Sequence, residues 1–167
     1  MKRAALARGW DVIELNRADF ADLRFDGAFD AVVFATGTCP VKSLVQTSDD
    51  VLAETFAVNC GLFVKLMRAL VAGRHYAASG MKAVAVSSVS AVEGWAGGTA
   101  YCASKGALSA ACRALDAELK PKRISVSALE PRYVRTGMFE RCAGRMGVDP
   151  ACAVDPDAFA GEVLALL

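Results

Sequence analysis

The chain has 167 residues, 54% of them hydrophobic and 22% charged; it can bury the core of one compact domain and is not a disordered tail. Nineteen Lys and Arg against eighteen Asp and Glu leave a formal charge of +1, too even a balance for a nucleic-acid binder, which needs a basic face. Runs such as Ala31–Ala35 and Val163–Leu167 fall far short of the roughly 18 apolar residues of a membrane span, and Arg8, Gly9 and Asp11 interrupt any signal-like start, so a soluble, cytoplasmic protein is expected.

In chain order, Arg3–Gly9 has the character of a helix's last turns and leads into Asp11–Leu15, a β-branched run that reads as a buried strand. Asp30–Ala35, Lys82–Ser87 and Ile124–Leu129 read the same way. Ser48 suits an N-cap, with Asp49 and Asp50 at the positive end of a helix that runs to about Ala72 and stops at Gly73. A second helix is predicted from Ala100 to Lys120, closed by Pro121, and a last helical pattern covers Pro156–Leu167. Strand alternating with helix predicts the α/β class: a doubly wound, Rossmann-like parallel sheet, covered on both faces, in a single domain. Ligands of such sheets sit at the carboxyl ends of the strands. A domain of this kind ordinarily opens with a strand and a Gly-rich turn, so residues 1–167 read as an incomplete one, truncated at both ends.

Six cysteines form no Cys-x-x-Cys pair, and the only histidine, His75, has no ligand-spaced partner. No metal site is expected, and free thiols in a reducing compartment account for the cysteines.

The chemistry concentrates in Ser87–Gly106, SSVSAVEGWAGGTAYCASKG, which passes from a strand through a Gly-rich loop into a helix. Tyr101 and Lys105, four apart, share one helix face. Chance supplies about 0.13 Tyr-x-x-x-Lys matches in a chain of this composition; requiring a Ser thirteen residues before the Tyr lowers that to roughly 0.008. A free phenol titrates at about 10, too high for acid/base work near neutrality. An ammonium about 4 Å away stabilises a phenolate by up to about 4 kcal/mol at an effective dielectric of 20. That predicts a Tyr101 pKa lowered by about three units. The hydroxyl of Ser88 can orient the same substrate oxygen.

With these residues in hand, the sequence resembles the short-chain dehydrogenase/reductase family, near its 3-oxoacyl-carrier-protein-reductase-like branch. Ser88, Tyr101 and Lys105 match the family's catalytic Ser, Tyr and Lys, and Asn59 in FAVNCGLF matches the Asn that supports a proton-relay water. Ala35-Thr36-Gly37 stands where the family shows Asn-Ala-Gly. Glu130–Thr136 resembles its Pro-Gly segment, with Arg132 in place of the Gly; Val134 and Thr136 take the positions that contact the nicotinamide carboxamide. The family's Thr-Gly-x-x-x-Gly-x-Gly turn does not occur here.

The resemblance implies an NAD(P)-dependent oxidoreductase that moves hydride between a nicotinamide and a carbonyl/alcohol substrate. Arg17, with no acid beside it, leans toward NADP over NAD, and a solvated loop arginine is the alternative. Asp19 resembles the Asp that accepts from the adenine amino group, and it could equally cap a turn. Ser90, Trp95, Met138 and Phe139 are candidates for the substrate wall. The Ser48–Ala72 and Ala100–Lys120 helices imply a homodimer or homotetramer. The rival reading is a truncated or non-catalytic family member acting only as an assembly partner.

Overall fold

Three runs pair into one parallel sheet of order β1-β2-β3: β1 (Ala31–Phe34), β2 (Met81–Val86) and β3 (Ile124–Leu129). They are seen in a computed structural model that describes residues 1–167. The register sets Val33 opposite Val84, and Val84 opposite Ser127. Parallel neighbours need a long crossover, and each crossover here carries helix. The first holds α2 (Asp49–Phe56), a π-helical turn (Ala57–Gly61) and α3 (Leu62–Ala72); the second holds α4 (Thr99–Leu119).

Side-chain alternation along β2 divides the core into two faces. Met81, Ala83 and Ala85 join Phe34, Ile124 and Val126 beneath Phe63, Met67 and Leu70 of α3 and Leu108 and Cys112 of α4. Val84 points the other way, toward Phe159 and Val163 of α6 (Pro156–Ala165). The short α1 (Lys2–Leu6) leans on α6. Helices therefore cover both faces, as a doubly wound sheet requires.

The caps follow the residue types. Ser48 Oγ accepts from the Val51 N–H at 3.4 Å, and Thr136 Oγ1 accepts from the Phe139 N–H at 3.3 Å at the start of α5 (Gly137–Met146). Past α4, Pro121 sits in a 3-10 turn (Lys120–Lys122) that ends on Arg123 at φ +58°. Gly80, at φ +117°, lies where any Cβ would clash with the Arg123 carbonyl, so only glycine fits there.

Two expectations are corrected. Asp11–Leu15 is not a strand: no segment of the chain pairs with it, and Ile13 is 62% exposed. A β-branched run becomes a strand only when a neighbour takes up its backbone groups; here Leu15 alone rests on the main core. Counting unbroken apolar runs also missed that Asp49–Ala72, as one helix, is long and apolar enough to cross a membrane by length and composition. Its apolar character serves the core, where Phe63, Leu66, Met67 and Leu70 are all buried.

Candidate active site

The carboxyl end of β2 runs directly into Ser87 and Ser88, and the first two turns of α4 bring Tyr101 and Lys105 beside it. Lys105 is 4% exposed, and its Nζ donates to the Val86 carbonyl at 2.7 Å. It sits 5.9 Å from the Tyr101 ring centroid. Ser88 caps a 3-10 turn (Val89–Ala91) and accepts from the Ser90 N–H at 3.1 Å. Ser87 Oγ donates to the Lys105 carbonyl at 3.1 Å and lies 2.8 Å from Ser109 Oγ, which donates to Glu130 Oε1 at 2.6 Å. This buried chain ties α4 to the ends of β2 and β3, and neither Ser109 nor the role of Glu130 was legible from spacing.

Asn59 lies fully buried in the π turn. Its Nδ2 donates to the Thr38 carbonyl at 2.9 Å and to Ser104 Oγ at 2.8 Å, while Oδ1 accepts from the Thr38 N–H at 2.7 Å. The widened π turn carries this amide toward both partners, so Asn59 clamps the loop after β1 to α4. Gly37 in that loop keeps the way to Lys105 open. A Cβ there would lie 3.4 Å from Asn59 Oδ1, 3.7 Å from Lys105 Nζ and 3.9 Å from Met138 Cε.

The electrostatics correct the expected lowering of the phenol. Burial pushes Tyr101 up to about 12, and the neighbouring Ser88 hydroxyl offsets only part of this. Burial likewise lowers Lys105 to about 8. The ammonium is bonded to the Val86 carbonyl, and loss of water is the largest influence on the phenol.

The other predicted residues divide. Met138 lines a cavity of about 380 Å³ with Gly37, Cys39, Pro40, Arg141 and Arg145. Ser90, 5% exposed, accepts from Trp95 Nε1 at 3.2 Å, and the Trp95 ring lies 6.4 Å from that of Tyr101. Phe139 does not line the cavity: it is buried with Ala143 and Ala153, 5.2 Å from the Tyr133 ring. The helical turn of 100° between Met138 and Phe139 sends one to the cleft and the other inward. Ala35 is exposed beside Gly37, and Val134 bridges to Val154. Arg132 takes no left-handed backbone and pairs with Glu93 at 3.1 Å. Arg17 is held in an exposed pair with Glu54 of α2 at 3.1 Å, and Asp19 accepts from the Asn16 N–H, capping its own turn.

The sequence profile of the enoyl-(acyl carrier protein) reductase family matches residues 16–154. The short-chain reductase protein NovJ of Streptomyces niveus is 32% identical over 123 residues, 74% of this chain and 46% of that protein. The chain belongs to the short-chain dehydrogenase/reductase family. It spans about half the length of the curated relatives it matches, 46% and 45% of two of them. A dehydrogenase/reductase from Sinorhizobium meliloti 1021 superimposes with a TM-score of 0.69 at 26% identity, over 82% of this chain and 56% of that one. A 4-hydroxyisoleucine dehydrogenase complexed with NADH shares the fold at 21% identity, with a TM-score of 0.68 over 82% and 60% of the two chains.

Within this family fold, the residues present fit the nicotinamide-ribose half of a dinucleotide. Lys105 has three N–H donors and one protein acceptor, the Val86 carbonyl, and Gly37 puts no side chain of its own in front of it.

Proposed function

We propose that residues 1–167 form an incomplete Rossmann-like domain carrying the proton-transfer centre of an NAD(P)-dependent oxidoreductase, acting on a small carbonyl or alcohol. The observation that carries this reading is half-buried Tyr101 beside the buried Lys105, with Ser88 at its side, at the carboxyl end of β2. A bound nicotinamide cofactor supplies or accepts the hydride. The protein supplies the proton. Tyr101 is protonated at neutral pH, as a phenol is even without burial. That state donates to a carbonyl oxygen as it gains charge, and the alkoxide formed there is more basic than a phenolate, so the transfer runs downhill even from a raised phenol. Ser88 hydrogen-bonds the same oxygen and fixes its position. The free N–H groups of Lys105 hold the nicotinamide ribose, and Asn59 supports the proton path behind Lys105 by keeping the Thr38 loop and α4 together.

For the remaining contacts, Ala35 and Gly37 line the cofactor's path, and Val134 and Thr136 take its carboxamide. Arg17 favours NADP over NAD by exchanging Glu54 for a 2′-phosphate, and Asp19 faces the adenine. Ser90, Trp95 and Met138 are proposed to border the substrate. Assembly as a homodimer or homotetramer through α2, α3 and α4 is supported by the exposed Leu52, Phe56 and Val64 on α2 and α3. Six free cysteines suit the cytoplasm.

The test is Tyr101→Phe, assayed by NADPH oxidation against a carbonyl panel. Turnover is expected to fall about 10²–10⁴-fold, the usual contribution of a general acid, while NADPH binding, read by nicotinamide fluorescence, persists. Undiminished turnover in the variant overturns the assignment. The same exposed apolar residues also favour a second reading, a family member that only assembles; a wild-type chain that leaves NADPH fluorescence unchanged would support it.

A further inference from the structure

The cavity at Gly37, next to Lys105, is lined by charge of one sign only. Arg141 and Arg145 lie four apart on α5, so both guanidinium groups reach the same face. Both line the cavity of about 380 Å³, and no Asp or Glu lines it. Arg145 Nη1 donates to the Val41 carbonyl at 3.0 Å, and neither arginine takes part in any of the five ion pairs of the chain. Gly37 is the shared wall: it borders this cavity, and the Lys105 Nζ lies 3.7 Å from where its Cβ would be. Pro40, Val41 and Met138 add apolar lining to the cavity.

From this arrangement we infer that Arg141 and Arg145 form the anion subsite of the substrate pocket, selecting a small oxo acid whose carboxylate they hold while its carbonyl faces Tyr101. The inference rests on the oxidoreductase reading above and names its substrate class. A guanidinium pair matches a carboxylate in charge and fork geometry. The volume is at the small end of ligand pockets. A carboxylate brings these two exposed guanidinium groups the opposite charge that an uncharged ketone lacks, so the site favours the acid.

The experiment compares 3-oxobutanoate with its methyl ester, which keeps the ketone and removes the charge. The acid-to-ester ratio of kcat/KM is measured for the wild-type chain and for Arg141→Gln, Arg145→Gln and the double variant, with NADPH. Each single variant is expected to lower the ratio about tenfold, the size of one charge-assisted hydrogen bond. A ratio that stays constant overturns the inference and leaves the oxidoreductase reading intact. If neither compound turns over in the wild type, calorimetric titration of 3-oxobutanoate decides the subsite by itself. A dissociation constant at least tenfold weaker in the double variant upholds it; equal binding, or no binding to any chain, overturns it. Variants that weaken NADPH binding and leave the acid unaffected assign the arginines to the cofactor's phosphates, which also overturns it.

Discussion

Replacing Lys105 with Met removes a buried ammonium and measures what holding it there costs. Burial lowers Lys105 from an ordinary 10.5 to about 8, in a site where the residue is 4% exposed. At 1.36 kcal/mol per pH unit this disfavours the charged form by about 3 kcal/mol. The sign follows from proton counting. Between about pH 8 and 10.5 the unfolded chain still holds the proton that the native chain has released, so native stability rises with pH across that window. Below pH 8 the full penalty applies. Against it, Met cannot donate to the Val86 carbonyl, which Lys105 Nζ reaches at 2.7 Å; an unmade buried hydrogen bond costs about 1–3 kcal/mol. Lys105→Met is therefore expected to be about 1 kcal/mol more stable than wild type at pH 7 and about 2 kcal/mol less stable above pH 10.5. Urea unfolding of both proteins at the two pH values, followed by tryptophan fluorescence, gives the difference directly. Groups that titrate alike in both proteins, Cys60 and Cys112 among them, cancel. A stability difference that does not move between pH 7 and 10.5 would refute the reasoning.

Two further predictions concern the frame around the site. Gly80→Ala forces a Cβ into the Arg123 carbonyl at φ +117° and should lower unfolding free energy by about 3 kcal/mol; a melting temperature equal to wild type would show that the β2 entry relaxes freely. Asn59→Ala strips three hydrogen bonds from Thr38 and Ser104 and should lower stability by about 2–4 kcal/mol. Faster hydrogen exchange at the Thr38 amide is expected alongside, and unchanged protection there would mean the loop is held by other contacts.

What the sequence determined by itself is local. The i, i+4 spacing puts Tyr101 and Lys105 on one face of any helix, whatever surrounds it. Ser48 and Pro121 mark their helix ends through bonds or backbone restrictions a few residues long. The runs at Ala31, Met81 and Ile124 carry enough apolar residues to face both layers of a covered sheet. Tertiary structure decided whatever depends on a distant partner. Asp11–Leu15 has strand composition yet stays unpaired, because pairing belongs to two segments and not to one. Asn59 finds Ser104 forty-five positions away, and no spacing rule connects them. Met138 and Phe139 are adjacent and apolar, and only the orientation of α5 sends one to the cavity and the other into the core. The titration of Tyr101 was decided the same way: the sequence places a cation nearby, but the fold sets how much water is lost, and that loss dominates. Nothing in the sequence marks Arg141 and Arg145; the cavity beside Gly37 gives them a common direction.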